Sequence, residues 1–177
     1  MHTRLLVSML MASTVGAATF STLPGALKEI LPSGQKAFKT KFVATAAQAD
    51  ALNAFGDGDF REGDAVDVYY AKDSDGKTTS IAIQLEEYQP KWKSRHNWVI
   101  GIGNDGKLSG IGIVELTDKY SYPLAQPEWL KRFSGKPAAQ MAFGNGVDAI
   151  SGASASSQLL VESIHRAAYI ASQVKLP

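Results

Sequence analysis

The chain has 177 residues, 45% hydrophobic and 20% charged, which is apolar material for one ordinary core rather than two. Lysine and arginine number 18 against 17 acidic residues, and a net charge of +1 leaves no broad electrostatic footprint for nucleic acid or an anionic membrane surface. The absence of cysteine excludes thiolate metal sites, iron–sulfur clusters, disulfides and cysteine nucleophiles, and His2, His96 and His165 lie too far apart for the ligand spacing of a transition-metal site.

The N-terminus has the layout of an export signal. His2 and Arg4 form a weakly basic start, residues 5–11 are apolar except for Ser8, and small residues follow over 13–18. Cleavage after Ala17 or Ala18 fits the small-residue rule at such sites, so residues 1–18 are expected to be a signal peptide and the mature protein periplasmic or secreted. The competing reading is an N-terminal anchor, but residues 5–20 supply 16 positions with Ser and Thr among them, against the roughly 20 that a spanning helix needs. A single domain is expected over 27–177.

A helical turn is expected at 27–30, before Pro32. Residues 38–43 alternate apolar and polar like a half-buried strand, and 45–54 read as a helix with Thr45 as N-cap and Gly56 as its stop. The Gly56-Asp57-Gly58-Asp59 stretch has acidic residues but lacks the ligand order and terminal Glu of a calcium loop, so it reads as a solvated turn. Two hairpins follow: 65–71 with 79–85 around Asp75-Gly76, and 97–103 with 108–116 around Asp105-Gly106. Asp-Gly between alternating apolar runs is a strong hairpin signal, with positive φ expected at both central residues. Residues 120–123 read as a loop and 127–133 as a short helix with Pro127 in its first turn. The longest helix is expected from 155 to about 174, with Leu160, Ile164, Ala167, Ala168 and Ala171 along one face. The fold class is α+β: an antiparallel sheet packed by the long C-terminal helix, with short peripheral helices.

Ser151-Gly152-Ala153-Ser154-Ala155-Ser156-Ser157 sits where the chain enters that last helix. Small residues permit a tight turn, and first-turn N–H groups without intrahelical partners favour an anion. On spacing alone two readings stand: a phosphate site, or a helix N-terminus over-supplied with capping hydroxyls.

Preceded by Asp148-Ala149-Ile150, this segment resembles the flavinylation motif of the FMN-binding domain family, which includes the C subunit of the sodium-pumping NADH:quinone reductase and the G subunit of the Rnf complex. The resemblance continues upstream through the 98–116 hairpin, Asp118-Lys119-Tyr120-Ser121-Tyr122-Pro123-Leu124, Pro127-Glu128-Trp129-Leu130, Phe133 and Gly135-Lys136, covering about 95–172. It implies FMN as cofactor, esterified through its phosphate to Ser154 by a flavin transferase that uses FAD and magnesium. Asp148 would be the leading acid of the motif, and Ser151, Gly152 and Ala153 its middle, with Ser156 and Ser157 following. The chain departs from the family pattern at the acceptor (Ser for Thr), at Asp118 (for Glu), at Ser121 (for Gly) and at Arg132 (for Gln).

Asp118, Tyr120 and Tyr122, with Trp129, are candidates to line or flank the flavin ring, since aromatic faces pack well on one another. His96 beside Trp98 is a candidate flavin hydrogen-bond partner, although a histidine at a strand end reads first as solvated. Arg95 and Lys136 are candidate phosphate contacts, and residues 91–96 read as a solvated loop before a strand. The expected role is an electron carrier rather than an enzyme in its own right. Its partners would be a membrane or extracytoplasmic redox protein, such as a cytochrome or a flavoprotein reductase, with no nucleic acid. Three other readings remain at this point: non-covalent binding of FMN or another phosphorylated ligand, an interaction domain, and a hydrolase with Ser154 or Ser156 as nucleophile. The last needs a base close by; His165 lies about 16 Å along the helix from Ser154, which leaves His96.

Overall fold

The computed structural model describes residues 18–90, 92–144 and 146–177, so the expected leader falls, apart from Ala18, outside the described residues. The two hairpins supply the centre of a six-stranded antiparallel sheet: β3 (Ala65–Lys72), β4 (Thr78–Gln89), β5 (Ser94–Gly103) and β6 (Leu108–Leu116) pair in chain order. β2 (Lys36–Val43) adds outside β3, and a two-residue strand, β1 (Ala18–Thr19), pairs with the far edge of β6. The α+β class read from the sequence is the one observed.

Strand alternation sends successive side chains to opposite faces. Trp98, Ile100 and Ile102 of β5 join the main core with Leu160, Ile164 and Ala167 of the C-terminal helix α4 (Ser154–Gln173), while Val99 joins a smaller cluster under α1 (Leu23–Ile30). α1 is longer than the single turn expected, because Thr22 caps it by accepting from the Gly25 N–H at 3.2 Å, with Pro24 in the first turn. It lies hard against the sheet: a Cβ at Gly112 would sit 2.7 Å from that of Ala26, a close approach that requires glycine there. α2 (Ala46–Asn53) starts at Thr45 as expected, with a full capping box to Gln48.

Two local expectations are corrected. Gly76 (φ +78°) and Gly106 (φ +73°) are left-handed but Asp75 and Asp105 are not, and Gly76 N–H donates to the Asp73 carbonyl (3.1 Å) as Gly106 N–H does to Gly103 (3.0 Å). The hairpins therefore turn through three-residue loops closed by a left-handed glycine, and the register of the sheet shifts beside each, at 71/72 and 101/102. The supposed loop around 120–123 is a 3₁₀ segment, Lys119–Ala125, started by Asp118 accepting from the Tyr120 N–H at 3.1 Å. The 127–133 helix is α3 (Pro127–Leu130) continued by one 3₁₀ turn, Lys131–Phe133.

One feature of the core had no sequence signal. Arg166 of α4 is 0% exposed and Glu87 of β4 is 6% exposed, and they pair at 3.1 Å. Ser163 donates to the same carboxylate oxygen at 3.0 Å, and Arg166 Nε donates to the Leu52 carbonyl at 3.2 Å. This cluster ties α4 to β4 and to the end of α2. Among the described residues no helix is long and apolar enough to cross a membrane.

Candidate functional site

α4 begins at Ser154, after a turn in which Ala153 N–H donates to the Ile150 carbonyl at 2.9 Å and Gly152 takes φ +81°. The left-handed residue explains the glycine: a side chain there would have room but would be strained by the backbone. Ser157 is buried and fastens the turn, accepting from Ile150 N–H at 3.2 Å and donating to the Ala153 carbonyl at 2.9 Å. The motif's other end is held by Trp129, whose Nε1–H donates to the Asp148 carbonyl at 2.9 Å while its ring meets Phe133 edge-on.

The over-supplied-cap reading does not describe what forms. Thr22 and Thr45 cap α1 and α2, but the N-cap position of α4, the longest helix, is Ala153, which makes no side-chain cap despite the serines around it. Ser154 is exposed and makes only a long 3.5 Å contact to the Ile150 carbonyl. Its first-turn N–H groups thus open towards a cleft of about 420 Å³ lined by Trp92, Asp118, Tyr120 and residues 152–156. That volume falls within the roughly 300–1,000 Å³ of small-molecule sites. Trp92 and Tyr120 stand 53% and 62% exposed, presenting aromatic surface at the cleft. Trp92 is carried by the β4–β5 turn, where Lys93 adopts φ +49°.

The cleft therefore gathers Gly152, Ala153, Ser154, Ser156, Asp118 and Tyr120 from the residues expected by sequence. Asp148, Ser151, Ser157 and Tyr122 lie outside its wall: Asp148 and Ser151 are exposed on the approach to the helix, and Tyr122 packs edge-on against Phe20. Trp129 is a core residue rather than a ring contact, and Arg95 and Lys136 are not in the wall. Trp92, placed by sequence in a solvated loop, is the addition; an aromatic immediately before a strand was the only hint of it.

His96 is not solvated. It is fully buried on β5, its Nε2 lies 3.0 Å from Ser121 Oγ, and Ser121 Oγ lies 2.6 Å from Ser156 Oγ in the cleft wall. Burial pushes the imidazole down to about 4, against the opposing pull of the Asp118 carboxylate. An unfolded histidine takes its proton near pH 6.5, so folding is fully favoured above that value and loses support as pH falls from 6.5 towards 4. The total is about 3 kcal/mol. The Glu87 carboxyl, raised by burial in spite of Arg166, works in the opposite sense. The His96 contribution is therefore read as the difference between the protein and a His96→Gln variant. Urea unfolding near neutrality and near pH 4.5 should show the wild type losing about 2–3 kcal/mol more than the variant; equal losses contradict the assignment. His165 is engaged elsewhere, 2.8 Å from the Met141 carbonyl and against Phe55, and neither histidine has a hydrogen bond to Ser154 or Ser156 among the described residues.

Residues 92–169 match the model of the FMN-binding domain family. Over that stretch the chain is similar to an FMN-binding domain. The match runs from the turn bearing Trp92 through most of α4, so every residue in the cleft wall falls inside it, and FMN is the cofactor it indicates. The domain's residues suit that group: an exposed hydroxyl at an open helix N-terminus for a phosphate, and flanking aromatic surface for a ring. No curated protein matches the chain. Among solved structures, it is similar to NqrC of Shewanella oneidensis, with 17% identity over 71% of this chain and a TM-score of 0.49. It spans 62% of that protein's length.

Proposed function

We propose that this chain is an extracytoplasmic electron-transfer flavoprotein that holds FMN through a phosphoester to Ser154 Oγ. One observation carries the reading: the motif's acceptor hydroxyl is exposed at the uncapped mouth of α4, in the wall of the cleft flanked by Trp92 and Tyr120.

The electrostatics of the cleft favour an ester over free FMN. Among the described residues none in its lining is basic, Lys119 standing over Tyr120 with its Nζ 5.2 Å from that ring, and Asp118 contributes a carboxylate to the wall. A phosphomonoester carries about −1.5 to −2 at neutral pH, and in the wall it would meet helix N–H groups, hydroxyls and the Asp118 carboxylate. Esterification to Ser154 leaves a diester with a single charge and makes retention independent of charge pairing. A flavin transferase would supply the FMN unit from FAD. The Ser154 Oγ–P bond forms as the P–O bond to AMP breaks, AMP departs, and the serine proton passes to a base of the transferase.

Bound FMN supplies the redox chemistry, and the protein sets its position and access. The cleft is open to solvent beside exposed aromatic surface, as a carrier needs if its ring is to meet partners. A membrane or extracytoplasmic redox protein is the partner class this implies, and the leader-like 1–18 segment supports the location. Denaturation tests the bond: after acid precipitation the yellow colour should stay with the polypeptide, and complete release into the supernatant contradicts attachment.

A further inference from the structure

We propose that His96 sets the polarity of a buried hydroxyl wire: its Nε2–H donates to Ser121 Oγ, Ser121 donates to Ser156 Oγ, and Ser156 presents its own proton to the flavin phosphate. The inference rests on attachment at Ser154 and assigns a positioning role to two residues, His96 and Ser121, that lie behind the cleft rather than in contact with the ligand.

The geometry is a line of three groups. His96 Nε2 is 3.0 Å from Ser121 Oγ, which is 2.6 Å from Ser156 Oγ, and Ser156, only 4% exposed, lines the cleft beside Ser154. The ring is neutral under ordinary conditions because burial disfavours its charged form, so one nitrogen donates and the other accepts. His96 Nδ1 is buried without a hydrogen-bond partner among the described residues, and this decides the tautomer. A proton on Nδ1 would be an orphaned buried N–H, and it would turn the wire inward, leaving Ser156 lone pairs facing an anion. A proton on Nε2 leaves an unused acceptor at Nδ1, the less costly defect, and turns every hydroxyl outward.

Asp118 competes weakly for the Ser121 proton. Its Oδ2 is 3.4 Å from Ser121 Oγ against 2.6 Å for Ser156, and its Oδ1 already accepts from the Tyr120 N–H at 3.1 Å. An anionic acceptor in the cleft strengthens the outward direction further, since hydrogen bonds to charged groups are the stronger ones. Ser121 stands where the family pattern has Gly, so the link belongs to this chain in particular. A glycine there offers no hydroxyl to join His96 to the helix.

Long-range proton–nitrogen correlation on labelled wild-type protein reads the tautomer without any substitution. The expected spectrum shows a neutral His96 protonated at Nε2; protonation at Nδ1 overturns the wire. Attachment in the presence of a flavin transferase gives the second readout. Ser121→Ala should slow FMN attachment about ten-fold, Ser121→Thr should restore it, and in a Ser156→Ala background Ser121→Ala should add no further loss. Wild-type rates in Ser121→Ala, alongside a flavin-free Ser154→Ala, overturn the wire alone. Covalent flavin that persists in Ser154→Ala overturns the attachment and the wire with it.

Discussion

Ser154→Ala is expected to yield protein with no covalent flavin when it is produced together with a flavin transferase, a loss that is complete rather than graded. A methyl group has no oxygen to form the ester, and the neighbouring hydroxyls do not replace it. Ser157 is buried and committed to the Ala153 carbonyl and Ile150 N–H, Ser156 is buried with Ser121 as its hydrogen-bond partner, and Ser151 lies outside the cleft wall. Folding should be untouched. Ser154 is exposed and gives up only a 3.5 Å contact, so the change in stability should stay within about 0.5 kcal/mol. Ser154→Thr keeps the hydroxyl at an exposed first-turn position and should remain flavinylated. In-gel flavin fluorescence paired with thermal unfolding separates the two effects. Fluorescence retained in Ser154→Ala contradicts the assignment, whatever the melting curve shows.

The largest expected effect on stability comes from Arg166→Leu. The guanidinium is wholly buried, pairs with Glu87 at 3.1 Å, donates to the Leu52 carbonyl at 3.2 Å and lies 5.9 Å from the Phe60 ring centroid. Removing it leaves the Glu87 carboxylate in the core with Ser163 as its remaining hydrogen-bond partner. Breaking a buried pair in this way costs about 3–5 kcal/mol, a large part of the roughly 5–15 kcal/mol that holds a domain of this kind together. Removing both charges should be far milder, so Glu87→Leu added to Arg166→Leu is expected to recover most of the loss. Urea unfolding of the two variants checks this, and a single-variant loss below about 1 kcal/mol contradicts it. The consequence reaches function, because this cluster fixes α4 against β4 and so fixes the serines at the helix mouth.

Local rules made much of this fold legible. Alternation located β2 to β6, Thr45 announced the start of α2, and the apolar face of α4 was given by Leu160, Ile164 and Ala167. What escaped was whatever depends on contacts distant in sequence. Ala18 and Thr19 are too short a run to read as a strand, and they form one only because the edge of β6 offers partners. Asp-Gly marked both turns, but only the shift of register in the folded sheet distinguishes a three-residue loop from a two-residue one. Arg166 and Glu87 carried no signal, because they stand 79 residues apart in the chain and neither announces a buried partner.

The site divides in the same way. The serine motif was readable because the turn, the helix start and the hydroxyls are contiguous in the chain. Trp92, His96 and Ser121 reach that place through the β4–β5 turn, the middle of the sheet and the 3₁₀ segment respectively. His96 looked solvated at a strand end, yet β5 extends back to Ser94 and carries it inside, opposite Glu87 and Leu116.

Intact mass of the protein produced with a FAD-dependent flavin transferase, followed by fragmentation of the tryptic peptide 133–166, bears most directly on the central claim. The predicted result is one added FMN less one water, carried on Ser154. An unmodified mass in protein that still copurifies with flavin, or an added mass on Ser151, Ser156 or Ser157 instead, contradicts it.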